Sequence, residues 1–164
     1  MSSDLKVFNL LMKPTKMTLI YLDYNCFQRG FDDLQQIRIQ MEALACEWIF
    51  FKAQMEQLTL AWSFMHHDEN HLCPFLDRQI EALRLSELCT VKIGPETEIY
   101  NRAKEFHQTA HLSPKDAIHV SCADFIKADY FITCDDRLLK QTHRLNLQLE
   151  AMNPVNYLIK METT

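Results

Sequence analysis

Acidic side chains from four separate parts of the sequence have the chemistry expected of a divalent-cation site. Asp23 ends the apolar segment TLIYLD, and Asp135 ends the apolar segment YFITCD. Glu69 follows the segment LTLAWS, and Asp116 lies three residues after Ser113. Carboxylate oxygens are the ligands that Mg²⁺ and Mn²⁺ prefer. Two such ions about 4 Å apart activate a water and stabilise the leaving oxygen in phosphodiester cleavage.

Each acid also has a structural interpretation that the sequence leaves open. Asp116 would complete a helix cap with Ser113, and Asp135 or Asp136 would cap the helix that follows. A local turn or solvated charge would account for the others, Asp23 with Asn25 and Glu69 within HHDEN. Like charges brought together raise one another's pKa and destabilise a fold unless something compensates. Convergence of the four acids would therefore favour a bound cation.

The elements that would position these acids alternate between strands and helices. Five segments have strand character: TLIYLD, LTLAWS, TVKI, YFITC and LQLE. The segments between them carry apolar residues at helical spacing. This alternation predicts an α/β fold with a mainly parallel central sheet and helices on both faces, a three-layer Rossmann-like sandwich. Sites in such sheets lie beyond the carboxyl ends of the strands. Asp23 and Asp135 are therefore expected at the same edge.

Two helical segments carry apolar residues at helical spacing, which predicts an apolar face on each. The first is a long helix with Ile37, Met41, Leu44, Trp48, Phe51 and Met55. The second, from about Met65 to Leu88, carries Leu72, Leu76, Ile80 and Leu83, with Pro74 in its first turn or at a kink. The apolar long helices also suggest a homodimer.

Composition excludes several classes of protein. The 164 residues fit one domain, and we divide them into a peripheral leader at 1–16 and a domain at 17–164. No apolar run is long enough for a membrane span, and two glycines leave no phosphate-binding glycine loop. A net charge of −5 argues against nucleic-acid binding unless metal ions cancel the carboxylates. Six scattered cysteines predict unpaired thiols in a reducing cytoplasm.

Four motifs together resemble those of the PIN domain in order, spacing and context. They are IYLDYN, a glutamate six residues after Ser63, KDAIHVSCADF and YFITCDD. The resemblance extends over roughly Met17 to Lys160. PIN domains are metal-dependent ribonucleases, and many small bacterial ones are the toxins of VapBC-type toxin–antitoxin pairs. The resemblance implies an Mg²⁺- or Mn²⁺-dependent endoribonuclease with an RNA substrate and an antitoxin partner.

The resemblance also implies roles for individual residues. The catalytic acids are Asp23, Glu69, Asp116 and Asp135. The metal ligands are Asp23, Asp116 and Asp135, with Asp136 as a further ligand. The supporting polar residues are Asn25 and Thr133. The identity of the fourth acid stays open between Glu69, Asp68 and Glu42, and an i, i+4 pair with Arg38 is the structural interpretation of Glu42.

Basic residues follow the acidic tip of YFITCDD. Arg137, Lys140 and Arg144 share one helical stripe, which predicts phosphate contacts to RNA, with a solvated helix face as the alternative. The cluster HHDENH suggests a competing zinc site at His67, His71 and Cys73, with exposed histidines as the alternative.

Two functions follow from these patterns. The first is a metal-dependent ribonuclease, and the second is a non-catalytic PIN-like module that binds RNA or protein. The extended first helix and the long acidic second one depart from a minimal toxin, and this departure concerns the toxin role more than the nuclease chemistry. Stabilisation by Mn²⁺ distinguishes the two functions, because an ion that binds only the folded state raises the melting temperature.

Overall fold

Five short strands form one parallel sheet in the computed structural model, which describes residues 16–164. The strands are β1 (Leu19–Leu22), β2 (Thr59–Ser63), β3 (Val91–Ile93), β4 (Tyr130–Ile132) and β5 (Glu150–Met152). Their order is β3-β2-β1-β4-β5, and every neighbouring pair is parallel. Ile20 of β1 pairs with Leu60 on one side and Tyr130 on the other. The chain thus builds outwards from β1 in both directions, which makes the β1–β4 boundary the switch point of the sheet.

Eight α-helices cover the sheet within the described residues. They are α1 (Tyr24–Gln28), α2 (Ile37–Gln54), α3 (Phe64–Leu72), α4 (Leu76–Ser86), α5 (Thr97–Ala110), α6 (Pro114–Phe125), α7 (Asp136–His143) and α8 (Pro154–Thr163). A 3₁₀ turn at Arg29–Phe31 follows α1. The predicted α/β fold with a parallel sheet between two helical layers is confirmed.

Side-chain caps fix the helix starts that lie nearest the carboxyl edge of the sheet. The Ser113 hydroxyl accepts a hydrogen bond from the Asp116 amide at 3.2 Å, with Pro114 as the first helical residue. The Asn153 side chain accepts one from the Val155 amide at 2.9 Å. These contacts satisfy amides that have no partner inside the helix. The predicted starts of α6 and α8 are confirmed.

The core has two parts, one on each face of the sheet, because successive strand residues point to opposite faces. Ile20 and Leu22 pack in one cluster with Ile49 and Leu60. Tyr21 packs in the other cluster, whose members include Ile99, Phe106, Val120 and Phe131. Burying one such side chain contributes about 1.5–3 kcal/mol. The sheet is therefore rigidly held between both helical layers.

The apolar face predicted for the long helix α2 lies at the surface. Ile37 is 74% exposed and Phe51 is 55% exposed, and Met41, Leu44 and Met55 are exposed as well. The buried residues are Glu42, Ala45, Cys46, Ile49, Phe50 and Ala53. The segment LACEWIFF is apolar on several sides, so spacing alone does not select the face that packs on the sheet. A different set of apolar residues, together with the ion-paired Glu42, takes that position instead.

The single helix predicted from Met65 to Leu88 is two helices. Helix α3 ends at Leu72 and α4 begins at Leu76, because Pro74 lacks the amide that would continue the helix. The four leucine and isoleucine residues placed on its apolar face are also exposed.

Four further expectations concern the chain as a whole. The last strand lies at Glu150–Met152, rather than at the predicted Leu147–Glu150. Almost all of the predicted leader, 1–16, lies outside the described residues. In residues 16–164 no helix combines the length and apolar character required to cross a bilayer. The six cysteines are all unpaired thiols.

Candidate active site

Asp23 lies at the switch point of the sheet with its carboxylate held on two sides. It follows β1 directly, and its side chain is only 6% exposed. Its Oδ2 accepts hydrogen bonds from the Thr133 hydroxyl at 2.7 Å and from Asn25 Nδ2 at 3.0 Å. Asn25 Nδ2 also donates to Thr133 Oγ1 at 3.0 Å. The loops after β1 and β4 therefore fix the orientation of one buried carboxylate.

The surroundings of Asp23 disfavour its negative charge. Burial raises the pKa of Asp23, and the Glu69 and Asp116 carboxylates raise it further, while His119 and the Thr133 hydroxyl oppose the shift. A buried carboxylate with like-charged neighbours costs stability unless a cation neutralises it. The donor set of buried and half-buried carboxylates fits a hard divalent ion such as Mg²⁺ or Mn²⁺.

Glu69 extends from α3 into the same space. Ligand atoms of Asp23, Glu69 and His119 all lie within 4.8 Å of one another. Glu69 Oε1 contacts His119 Nε2, and Glu69 Oε2 lies 3.4 Å from Lys115 Nζ. Burial alone would raise the pKa of Glu69, but His119 and Lys115 hold it below its ordinary value. Glu69 is thus an ionised carboxylate beside Asp23.

The two alternatives for the fourth acid lie elsewhere. Glu42 is buried, but its oxygens accept hydrogen bonds from Arg29 Nε at 2.7 Å, Arg38 Nε at 2.9 Å and Asn153 Nδ2 at 2.8 Å. Asp68 is exposed on α3. Of the three candidates, Glu69 is the acid that the structure brings next to Asp23.

His119 is part of this site and was missed by the sequence analysis. It is fully buried on α6, one turn after Asp116, and its Nδ1 lies 2.6 Å from the Tyr21 hydroxyl. That hydroxyl lies 2.7 Å from Ser63 Oγ, which in turn lies 3.0 Å from His66 Nδ1. The i, i+3 spacing of Asp116 and His119 in KDAIH was the available signal, but only the fold brings Glu69 to the imidazole.

His66 ends this hydrogen-bonded chain as a neutral side chain. Burial lowers the pKa of His66 well below its ordinary value. Its Nδ1 accepts from the Ser63 amide at 2.9 Å, so Nε2 carries the proton and donates to the Leu22 carbonyl at 2.7 Å. This series of hydrogen bonds therefore connects Ser63, at the end of β2, through the Tyr21 hydroxyl to His119 in the acidic site.

Asp116 and Asp135 lie at helix starts, as their structural interpretation requires, yet both keep free oxygens. Asp116 is half-buried in the first turn of α6, and within residues 16–164 its carboxylate has no hydrogen-bond or ion-pair partner. Asp135 Oδ1 caps α7 by accepting from the Arg137 amide at 2.9 Å and the Leu138 amide at 3.2 Å. Its backbone amide donates to Thr133 Oγ1 at 3.1 Å. The Thr133 hydroxyl therefore links the backbone of Asp135 to the carboxylate of Asp23.

Asp136 is directed to a different partner. Both of its oxygens accept hydrogen bonds from the Arg38 guanidinium at 2.8 Å, and this pairing lowers the pKa of Asp136. The carboxylate is exposed on the outer side of α7, against α2. The structure therefore joins Asp136 to Arg38 and does not group it with Asp23, Glu69 and His119.

The predicted basic stripe spans the length of α7. Arg137 is exposed near its start and Lys140 is exposed in its last turn, whereas Arg144 follows its end. Arg144 lines a cavity with Asp129 and Glu150, which lie at the amino ends of β4 and β5. Arg144 is thus at the edge of the sheet opposite the acids.

The zinc alternative at HHDENH is not assembled in the part of the chain that the structure describes. His67 and His71 are exposed on α3, and neither they nor Cys73 belongs to a group of three potential ligands.

Lys115 provides a cationic side chain at the acidic site, where it forms an ion pair with Glu69.

Comparison with known structures identifies the fold. FitAcB from Neisseria gonorrhoeae matches with a TM-score of 0.55 at 15% identity, over 82% of this chain and 97% of that one. VapBC2 from Rickettsia felis, bound to a DNA fragment from its promoter, matches with a TM-score of 0.54 at 13% identity, over 83% and 98%. PAE2754 from Pyrobaculum aerophilum matches with a TM-score of 0.52 at 14% identity, over 90% and 99%.

Sequence comparisons give no corresponding result, because no family model and no curated protein matches the chain. The likeness is therefore one of three-dimensional fold, and it covers nearly the whole length of each neighbour. These neighbours are PIN-domain proteins of the VapC and FitB type, and this chain has the PIN-domain fold.

Proposed function

We propose that this protein is an Mg²⁺- or Mn²⁺-dependent ribonuclease that hydrolyses RNA phosphodiester bonds. The observation that carries the proposal is the buried Asp23 carboxylate, held by Thr133 and Asn25, with ligand atoms of Glu69 and His119 within 4.8 Å. A purely structural carboxylate in this position would be expected to have a cationic partner. Asp23 instead has acidic neighbours that raise its pKa.

The proposed ligands are Asp23, Asp116 and the free oxygen of Asp135. The ion supplies Lewis acidity, which activates a water and offsets the charge that develops on the phosphate. Thr133 and Asn25 hold Asp23 in one orientation, and the Ser113 cap fixes the helix turn that carries Asp116. Preorganised ligands of this kind lose little entropy when they bind.

Glu69 is proposed to accept the proton of the attacking water, and His119 to hold Glu69 in place. The contact between Glu69 Oε1 and His119 Nε2 leaves the other oxygen beside Lys115. Lys115 is about half exposed, which suits a contact with the RNA phosphate next to the site. Arg137, exposed at the start of α7, and Lys140, exposed in its last turn, would extend this contact along the RNA.

RNA cleavage by purified wild type and matched variants tests the proposal. Asp23→Asn and Asp116→Asn should each lower the cleavage rate by at least about 100-fold, because each removes a charge that holds the ion. Asp68→Asn, an exposed acid beside Glu69, is the control and should keep full activity. Equal rates for all four proteins would contradict the nuclease function and favour a PIN-like module that binds RNA or protein without cleaving it.

We further propose that the chain is the toxin of a toxin–antitoxin pair and acts in the cytoplasm, where its six thiols stay unpaired. The likeness of fold to VapBC2 supports such a partner by analogy. A groove of about 880 Å³ between α2 and α4 offers the surface, and its apolar walls include Phe31, Leu34, Leu44, Phe51 and Leu85. We call this the apolar groove. A concave surface with apolar walls suits the apolar face of a helix, and an amphipathic helix of an antitoxin is the proposed occupant.

A further inference from the structure

Three cysteine side chains meet at a single point behind the acidic site. Cys26 is on α1, Cys46 is on α2, and Cys134 follows β4. Their sulfur atoms all lie within 4.8 Å of one another, and each side chain is at most 6% exposed. None of the three forms a disulfide. The three thiols therefore come from three elements and share one buried pocket.

This arrangement differs from that of the other cysteines. Cys89 follows α4, and its buried thiol lies 3.9 Å from the carbonyl oxygen of Leu85, near the end of that helix. Cys122 is buried on α6, and Cys73 is half-buried. Within residues 16–164 these three are not grouped with other potential metal ligands. Buried cysteines are common as small apolar residues, but a triangle of sulfurs has the composition of a ligand set.

We propose that Cys26, Cys46 and Cys134 bind one cuprous ion in trigonal sulfur coordination. Soft thiolate ligands select Cu(I), zinc or iron–sulfur clusters. A metal–sulfur distance of about 2.3 Å gives sulfur–sulfur separations of about 4.0 Å in a planar triangle. The observed limit of 4.8 Å requires only a small contraction. Binding releases the three thiol protons to solvent and leaves the ion as Cu(I).

The number of ligands distinguishes copper from zinc. Structural zinc takes four ligands, and the nearby oxygen donors are already engaged. Asn25 Oδ1 accepts a hydrogen bond from the Cys134 amide at 3.3 Å. The oxygens of Glu42 are taken by the arginines and the asparagine described above. Within residues 16–164 the three sulfurs form a group without a fourth potential ligand. This number of ligands matches the trigonal coordination of a cuprous ion.

The surroundings of the three sulfurs offer the copper ion a route of entry and place a cationic side chain nearby. Cys26 and Cys46 form part of the wall of the apolar groove, which leads from solvent to the pocket. The copper–thiolate group is anionic and buried, which is costly without a neighbouring cation. The Arg29 guanidinium lies within electrostatic range of Cys46 and Cys134 and favours this charge, whereas the Glu42 carboxylate that pairs with Arg29 opposes it.

The pocket adjoins the acidic site but does not depend on its function. Asn25 Oδ1 lies 3.4 Å from the Cys26 sulfur, while its Nδ2 donates to Asp23 and Thr133. The sulfur triangle is thus on the far side of Asn25 from the carboxylates. The copper site stands whether or not the protein cleaves RNA.

Copper titration of the full-length, fully reduced protein tests this inference. Cu(I) is added anaerobically in competition with a chromogenic Cu(I) chelator, and one ion per chain should be withheld from the chelator. X-ray absorption at the copper edge should show three sulfur neighbours at about 2.2–2.3 Å. Cys46→Ser should weaken binding by about 100-fold or more. Cys122→Ser, the loss of a buried thiol outside the triangle, is the matched control and should bind as tightly as the wild type.

Three results would overturn the inference. The chelator could retain all the copper, Cys122→Ser could weaken binding as much as Cys46→Ser, or the absorption spectrum could show a number of sulfur neighbours other than three. Circular dichroism checks that each variant is folded, and Cys26→Ala replaces Cys46→Ser if the latter is not. If both variants unfold, the copper-edge spectrum of the wild type decides between three sulfur neighbours and any other shell.

Discussion

The Thr133 hydroxyl donates a hydrogen bond to Asp23 Oδ2 at 2.7 Å, and this contact joins the loops that follow β1 and β4. The same hydroxyl accepts from the Asp135 amide at 3.1 Å. One buried threonine therefore positions two of the proposed ligands relative to each other. The sheet brings the loops together, and the hydroxyl sets the orientation of the carboxylate.

Thr133→Val should weaken Mn²⁺ binding by about 10- to 100-fold, because Asp23 loses the donor that orients it while the side-chain volume is kept. Binding is followed as the rise of the melting temperature with Mn²⁺ concentration. Thr142→Val is the matched control: Thr142 is also buried, but its hydroxyl donates to the Leu138 carbonyl on α7. An unchanged Mn²⁺ response in Thr133→Val would remove this threonine from the site.

Asp23→Asn should make the metal-free protein more stable at neutral pH. The folded pKa of Asp23 is raised above its unfolded value, so the cost of its charge is absent below about pH 4 and grows as pH rises towards the folded pKa. The difference in free energy of unfolding between variant and wild type should therefore increase from pH 4 upwards and then level off. Urea unfolding at several pH values measures it.

Saturating Mn²⁺ should reverse the sign of this difference at neutral pH, because the ion stabilises the charged wild-type carboxylate and not the amide. Wild type that is more stable than Asp23→Asn at neutral pH without metal would contradict the assignment of Asp23 as an uncompensated buried charge.

His119→Gln should lower kcat for RNA cleavage by about 10- to 100-fold with little change in KM, because Glu69 loses the imidazole that positions it. The contact with His119 helps to lower the pKa of Glu69, so its loss should move the acidic limb of the pH–rate profile to higher pH. His67→Gln, a change to an exposed histidine of α3, should leave both rate and profile unchanged. A reduced rate with an unshifted profile would assign His119 a structural role only.

The sequence was informative where local chemistry decides the structure. Apolar β-rich runs predicted the strands, and Ser113-Pro114 and Asn153-Pro154 predicted two helix starts, since a cap and a proline act within one turn. Asp23 at a strand end was placed at the correct edge because parallel strands share one carboxyl edge.

What the sequence could not predict depends on distant partners. Asp135 and Asp136 are equivalent in the sequence, but Arg38 of α2 engages only Asp136. The role of His119 depends on Glu69 from another helix. The buried face of α2 was predicted wrongly because Glu42 is tolerated in the core only through Arg29 and Arg38. Of these contacts, the Arg38–Glu42 pair at i, i+4 had a local signal in the sequence and is confirmed, whereas the others join residues that are distant along the chain.

Glu42→Gln should lower the free energy of unfolding by about 1.5–3 kcal/mol, because a buried carboxylate that accepts charge-assisted hydrogen bonds from two arginines becomes a neutral amide. Its side chain is 1% exposed and bonds Arg29, Arg38 and Asn153. Asp136→Asn removes an exposed, solvent-screened ion pair with Arg38 and should lower the free energy of unfolding far less than Glu42→Gln does. Urea unfolding measures both, and the folded fraction of each variant should cleave RNA at the wild-type rate. Loss of cleavage in folded Asp136→Asn would restore Asp136 to the metal site.

Leu44→Asp and Leu34→Asp should abolish binding of an antitoxin without unfolding the chain. Both leucines line the apolar groove, and both are about half exposed, so a charge there remains solvated in the free protein but is buried in the complex. Co-expression with the proposed antitoxin, followed by co-purification, measures the loss. Ile159→Glu, on the exposed side of α8, is the matched control and should keep the complex.

The same variants distinguish an antitoxin from a second copy of this chain as the occupant of the apolar groove. If a homodimer fills the groove, sedimentation of the isolated wild type should give a dimer, and Leu44→Asp should give a monomer. If an antitoxin fills it, Leu44→Asp should leave the sedimentation of the isolated chain unchanged while releasing the partner. Because an isologous dimer buries the same patch on both subunits, one charged substitution places two like charges in the interface. The homodimer should therefore be the more sensitive of the two assemblies to this change.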